Sequence, residues 1–271
     1  MNDIFSLKNK VIVVTGGTGI LGGAFVDGIV NAGGTVGVLG RNEKKATDIV
    51  AKIKKNGGKA IALIADVTNE EQLEIACQKV LSEYGTIDGL VNAAGGNIPE
   101  AIVQSEDEIF KLDMDAIQKV MQLNLFGTLL PTQVFGNAIQ KNESGSIVNI
   151  SSVVASAAIT KVLGYSMAKA AVDNYTNWFS VEMANRFGDK IRMNSIAPGF
   201  FLTEQNRTLL TNPDGSYTDR AKLILQNTPF KRFGTPNELV GALIWLLSDA
   251  SRFVNGSKII VDGGFSVFSG V

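Results

Sequence analysis

Histidine is absent from this chain of 271 residues. That removes any Ser-His-Asp or Cys-His catalytic arrangement and any histidine-ligated metal site. A single cysteine, Cys77, excludes an intrachain disulfide and a zinc site built from cysteine alone. Cys77 falls in a helix-like stretch, and a free cysteine there is expected to be a small core residue. No excess of charge of either sign exists: 25 basic residues against 26 acidic give a net −1. Nothing in that balance draws the chain to nucleic acid or to an anionic membrane. The longest apolar run, Leu239–Leu247, has nine residues with Gly241 inside it, far short of the roughly 20 of a membrane span. Met1–Lys10 has polar residues throughout its length and lacks the apolar stretch of a signal peptide, so the cytoplasm is the expected compartment.

Hydrophobic residues make up 45% and charged residues 19%, the balance of a foldable globule rather than a disordered chain. Glycine is rich, at 29 residues. Apolar, Val/Ile-rich runs alternate with helical patterns along the whole length. Strands are expected at 10–14, 35–39, 60–64, 90–92, 146–150, 191–196 and 258–261. Helices are expected at 22–32, 43–56, 70–83, 115–140, 165–185 and 236–247. Near-continuous apolar strands indicate a parallel sheet buried on both faces. Alternating β and α elements indicate an α/β, Rossmann-type doubly wound sheet of about seven strands with helices on both faces. No linker or repeat divides it, so 1–271 is read as one domain, with a polar excursion at about 203–230.

The first strand runs into Thr15-Gly16-Gly17-Thr18-Gly19-Ile20-Leu21-Gly22, in which Gly17, Gly19 and Gly22 satisfy G-x-G-x-x-G. The pattern closes a strand and opens a helix, which is the context that its mechanism requires. Glycines permit the tight turn and let the backbone approach a pyrophosphate, and the helix N-terminus offers unpaired N–H groups. The end of the second strand should then carry an acid if the cofactor is NAD. It reads Leu39-Gly40-Arg41-Asn42 instead. The guanidinium of Arg41 suits a 2′-phosphate, so NADP(H) is favoured over NAD(H). Asp66-Val67 and Asn92-Ala93-Ala94-Gly95 also end strands, where ligands bind in such sheets.

Tyr165 and Lys169 are four apart at the start of a helix and share one face. A nearby ammonium favours the phenolate and lowers a tyrosine pKa from about 10. Ser152 ends the fifth strand, Asn124 sits in the long helix before it, and Pro198-Gly199 and Thr203 follow the sixth. With these residues in order, the chain resembles the short-chain dehydrogenase/reductase family over nearly its whole length, on the motifs TGGTGILG, Asp66, NAAG, NLFG, NISS, YSMAK and NSIAPGFFLT. The resemblance implies that Tyr165 is the general acid in ketone reduction. It implies that Lys169 lowers the tyrosine pKa and binds the nicotinamide ribose, that Ser152 positions the carbonyl oxygen, and that Asn124 holds a water in the proton relay. It also implies cofactor contacts from Gly16, Thr18, Gly19, Ile20, Leu21 and Gly22 to the pyrophosphate, and from Arg41 and Asn42 at the ribose. Asp66 and Val67 are implied at the adenine, Asn92, Ala93 and Ala94 along the fourth strand's end, and Pro198, Gly199, Phe201 and Thr203 around the carboxamide. Two positions depart from the family pattern: Ile20 stands for its second glycine, and Ala93 for an asparagine.

Gly95-Gly96-Asn97, Pro198–Thr211 and Val261–Val271 are similar to the family's D-mannonate oxidoreductase (fructuronate reductase) branch. Gluconate 5-dehydrogenases and 3-oxoacyl reductases share the scaffold, and fold alone does not choose among them. A sugar acid calls for a cation and for amides or hydroxyls. Asn97 and Arg207 are the candidates, with Glu204, Gln205, Asn206 and Lys161 close by in sequence. A dinucleotide-sensing regulator without turnover is the other class, and loss of Tyr165 or Lys169 would mark it. The resemblance implies a homotetramer. The apolar segment Phe265–Val271 either packs across an interface or folds back onto its own core.

Overall fold

The computed structural model describes residues 4–104, 106–203, 207 and 209–270. Its strands are β1 (Val11–Thr15), β2 (Thr35–Gly40), β3 (Lys59–Ile64), β4 (Gly89–Asn92), β5 (Gly145–Ile150), β6 (Ile191–Pro198) and β7 (Lys258–Val261). They form one sheet in the order β3-β2-β1-β4-β5-β6-β7, with every neighbouring pair parallel. The helices are α1 (Ile20–Asn31), α2 (Glu43–Lys55), α3 (Glu70–Tyr84), α4 (Met114–Met121), α5 (Gly127–Ile139), α6 (Leu163–Phe187), α7 (Asp219–Gln226) and α8 (Val240–Leu247). This is the doubly wound α/β arrangement that the alternation implies.

Successive strand side chains leave opposite faces of the sheet, and each face has its own core. Ile12 and Val14 of β1 pack with Phe25 and Ile29 of α1 and Leu243 and Leu246 of α8. Val11 and Val13 pack with Leu73 and Val80 of α3 and Phe135 and Ile139 of α5. Covering on both sides is why the strands read as unbroken apolar runs. Cys77 lies in the second core, and burial pushes its thiol up.

The long helix expected over 115–140 is interrupted. A π-helical turn, Gln122–Phe126, joins α4 to α5. Such wide turns cluster at functional positions, and here the turn buries Asn124 completely. The polar excursion carries α7 and a small core of Leu210, Ala221, Ile224 and Phe233. Phe265 folds back edge-on to Phe200, with ring centroids 4.9 Å apart, while Val267 is exposed. No helix among the described residues is long and apolar enough to cross a membrane.

Arg192 of β6 is buried and donates to the carbonyls of Leu246 and Ser248 and to Ser251 Oγ. It thereby closes the end of α8, which has no basic residue in its last turn, and puts positive charge at the helix's negative end. Arg192→Leu leaves the Leu246 and Ser248 carbonyls only their serine hydroxyl donors and removes the charge at the helix end, and should cost about 1–3 kcal/mol. Thermal denaturation should then show a lower midpoint. An unchanged midpoint would mean that the helix end does not depend on this guanidinium.

Candidate active site

The chain winds outward in one direction from β1 through β2 and β3, and in the other from β4 to β7. At that reversal a doubly wound sheet opens a crevice beyond the carboxyl ends of its strands. The cleft there, about 310 Å³, is lined by residues 16, 18–22, 39–41, 65–67, 93–95, 123 and 203. Its shape is made by backbone. Gly16 has φ +65°, and a Cβ on it would lie 2.8 Å from the Ala94 backbone. A Cβ on Gly22 would collide with the Gly16 carbonyl. Helix start and turn are thus pressed together as close phosphate approach requires. Gly19 is the N-cap of α1; no side chain caps the helix and no acid occupies its first turn. Its free N–H groups and positive end border the cleft. Ile20, the departure from the family pattern, is the first residue of α1 and joins the lining. A dinucleotide's pyrophosphate fits this cradle.

Arg41 stands exposed just beyond β2, with Nη1 3.7 Å from Asp66 Oδ2. Asp66 Oδ1 accepts from the Thr68 N–H and hydroxyl at 2.9 and 2.7 Å. Burial works to raise the Asp66 carboxyl, but the Thr68 bonds and the Arg41 guanidinium together hold it below its ordinary value.

Other candidates sit elsewhere. The Asn42 side chain caps α2 by accepting from the Lys45 N–H at 2.9 Å. Asn92 turns away from the cleft: it is 1% exposed, and its amide donates to Thr132 Oγ1 and Asn149 Oδ1, both at 2.9 Å. The strand's pleat sends the Asn92 side chain inward, which leaves the backbone of this strand end facing the cleft. Pro198, Gly199 and Phe201 are outside the lining; Gly199 packs on Asp262, and the Phe201 ring on Gly234.

Ser152 follows β5, and Tyr165 and Lys169 lie on α6. The Tyr165 phenol takes a hydrogen bond from Ser152, and Tyr165 packs, as Ile98 does, against a cluster of Ala101, Ala116 and Val120. Lys169 is 3% exposed. Its Nζ donates to the Ile150 carbonyl at 2.7 Å and lies 5.5 Å from the Tyr165 ring centroid. A Cβ on Gly95 would come within 3.3 Å of that Nζ and 2.6 Å of Asn124 Oδ1. Asn124 Oδ1 accepts from the Gly96 N–H at 2.9 Å, and its Nδ2 donates to the carbonyls of Gly96 and Val120 at 2.6 and 2.8 Å. Its amide therefore clamps the chain leaving β4 onto α4.

The electrostatics differ from the expected lowering of the tyrosine. Burial pushes the Tyr165 phenol up to about 12, against the pull of the Ser152 hydrogen bond. Desolvation of the phenolate outweighs that hydrogen bond. Burial also brings Lys169 down to about 8, while Asp173 one turn on acts to raise it. At neutral pH the arrangement is a protonated phenol, hydrogen-bonded by a serine, beside an ammonium that gives up its proton readily. Such a phenol can donate a proton to an oxygen placed against it.

Both amide atoms of Asn97 are buried without a partner. Arg207 is exposed, and its carbonyl accepts from the Thr211 N–H and hydroxyl. Lys161 Nζ donates to Gln104 Oε1 at 2.7 Å. Glu204, Gln205 and Asn206 fall outside the described residues. Leu39, Gly40, Ala65, Gly95 and Leu123 line the cleft without having been singled out as contacts. Gly40 carried a signal: it ends a strand, and a Cβ there would press on Thr18.

A doubly wound sheet with a glycine cradle and a serine–tyrosine–lysine group beside it defines the class of dinucleotide-dependent oxidoreductases. The family model described as enoyl-(acyl carrier protein) reductase matches residues 18–266, and the chain belongs to the short-chain dehydrogenase/reductase family. It is 41% identical over 275 residues to the uncharacterized oxidoreductase UxuB of Bacillus subtilis, covering 98% of each chain. It is 40% identical to a crystal structure from Haemophilus influenza provisionally named a D-mannonate oxidoreductase, with bound NAD, at a TM-score of 0.90 and 98% coverage of both chains. A gluconate 5-dehydrogenase from Burkholderia cenocepacia, in complex with NADP and tartrate, is 31% identical at a TM-score of 0.86, over 97% of this chain and 98% of that one.

Folding lowers Lys169 from 10.5 to about 8, so between those values the folded protein binds fewer protons than the unfolded one. Its stability therefore rises with pH across that window. Lys169→Met removes this term. The variant's gain in melting temperature over the parent should be largest near pH 7 and shrink toward about pH 10.5. A difference independent of pH would contradict the lowered value.

Proposed function

We propose that the chain is an NADP(H)-dependent reductase of a sugar-acid ketone, interconverting D-fructuronate and D-mannonate. The observation that carries the reaction type is the protonated Tyr165 phenol, bonded to Ser152, with Lys169 packed against Gly95 at the cleft. A bound nicotinamide dinucleotide supplies the reducing equivalents. Gly16 to Gly22 and the start of α1 hold its pyrophosphate, Asp66 and Val67 its adenine end, and Thr203 its carboxamide. The Ser152 hydroxyl positions the substrate's carbonyl oxygen. Tyr165 delivers its proton to that oxygen as the alcohol forms, and takes it back in the oxidative direction. The Lys169 ammonium offsets the charge left on the phenolate and replaces its proton through a water held near Asn124.

The sugar-acid reading is supported by relatives named for such substrates: the D-mannonate oxidoreductase structure, the gluconate 5-dehydrogenase structure and the 5-keto-D-gluconate 5-reductase of Escherichia coli, 30% identical. These names favour 5-keto-D-gluconate as the second candidate substrate. The unpartnered amide of Asn97, next to Ile98, which shares an apolar cluster with Tyr165, suits a polyhydroxylated ligand. The family model's acyl-reductase description speaks for a thioester, and the polar stretch after Thr203 speaks against it. Arg41 supports NADP(H), although the relatives' structures hold both NAD and NADP. A homotetramer belongs to the same reading; exposed Trp178 and Val181 on α6 give an apolar face for it.

Initial rates with NADPH and NADH on D-fructuronate, D-tagaturonate, 5-keto-D-gluconate and an acetoacetyl thioester test the assignment. Preference for fructuronate is expected; turnover of the thioester alone would replace this reading with an acyl reductase. Tyr165→Phe should lower the rate by roughly 10²- to 10⁴-fold with NADPH affinity preserved, and full activity would refute the assigned acid. Arg41→Ala should weaken NADPH by about tenfold or more and NADH hardly at all. Equal effects on both cofactors would sink the 2′-phosphate argument.

A further inference from the structure

We infer that Arg220 takes the carboxylate of the substrate, an assignment that rests on the sugar-acid reading. Arg220 lies in the first turn of α7, on the excursion that follows Thr203. Its Nη1 donates to Thr160 Oγ1 at 3.1 Å and its Nη2 to the Thr160 carbonyl at 3.0 Å. Among the described residues the remaining N–H groups of the fork have no partner and are left for a ligand.

Its surroundings set it apart from the other arginines. Arg41, Arg186, Arg232 and Arg252 each face a carboxylate, and Arg192 closes α8. Arg220 is half-buried, and no carboxylate pairs with it among the described residues; burial alone acts on its titration, lowering it. A guanidinium partly withdrawn from water gains most from a bidentate anion. Arg207, the candidate from the sequence, is exposed instead.

The place fits as well. Thr160 belongs to the segment between Ser152 and Tyr165. Its neighbour Lys161 accepts from the Val103 N–H at 3.0 Å and reaches Gln104 with its Nζ. That ties the same segment to the chain running on from Asn97, whose neighbour Ile98 packs against the same Ala101, Ala116 and Val120 cluster as Tyr165. Three segments therefore meet next to the start of α6, the helix of Tyr165, bringing one guanidinium without an acidic partner among the described residues, a second cation at Lys161, and the buried amide of Asn97. Arg220 and Lys161 put two cations here, and the neighbouring Asp107 is taken up by the Gln104 N–H at 2.6 Å, so the two cations are placed to attract an anion.

The test compares wild type, Arg220→Ala and Arg220→Lys on the best sugar acid of the panel and on its methyl ester, with NADPH affinity and melting temperature measured in parallel. Arg220→Ala should lose roughly 30- to 100-fold in kcat/KM on the acid, mainly through KM, and little on the ester. Arg220→Lys should recover part of the loss on the acid. Equal losses on acid and ester would make Arg220 a pin for α7 and overturn the assignment, as would an Arg220→Ala enzyme that uses the acid normally. If wild type turns over no sugar acid, the substrate reading fails first, and this assignment fails with it.

Discussion

The close approach of the β1–α1 turn to the end of β4 sets the position of every group in the site. Gly16 lies against the Ala94 backbone, and neither can retreat. Thr15, fully buried, accepts from the N–H groups of Ala93 and Ala94 at 3.1 Å each and donates to the Val91 carbonyl. One hydroxyl thus stitches the first strand to the fourth at the point where the sheet reverses direction. With Ala94 held there, Gly95 falls between Lys169 and Asn124. Ala94, which abuts the cradle, and Gly95, which abuts Lys169, are neighbours along the chain, so packing at one is felt at the other.

A second constraint indexes α6 to the sheet. Asn92 donates to Thr132 and Asn149, Asn149 donates to Thr176, and Thr176 donates to the Val172 carbonyl. Thr132 and Thr128 pass the chain back along α5 to the Asn124 carbonyl. These are amides and hydroxyls, which a dry interior tolerates when paired. They fix the height of α6 relative to β4 and β5, and with it the height of Tyr165 and Lys169. Apolar packing alone would leave that height adjustable by a rotamer change.

Strand and helix positions were readable because periodicity and burial agree on a sheet covered on both faces. Arg41 and the glycine turn were readable because a strand end and a helix start leave local signatures. The inward pairing of the Asn92 side chain was not legible, because a motif names a residue without saying which way the pleat turns it. The tyrosine's electrostatics were misjudged for a related reason: spacing on a helix places a charge near a phenol, but burial is a tertiary quantity. Arg220 could not be told from Arg207 in sequence, since both are arginines in one polar stretch. They part only when α7 docks on Thr160.

The π-helical turn at Gln122–Phe126 has a consequence for how such a chain can change. An α-helical path between the same two ends would need one residue fewer, and each residue turns a helix by about 100°. No single substitution within the turn changes that count. Shortening it by one codon would swing Asn124 off Gly96, or else rotate all of α5 out of the second core. The clamp on β4 is therefore gained or lost by insertion and deletion, and gaps in an alignment at this helix would carry more information than the residues around them.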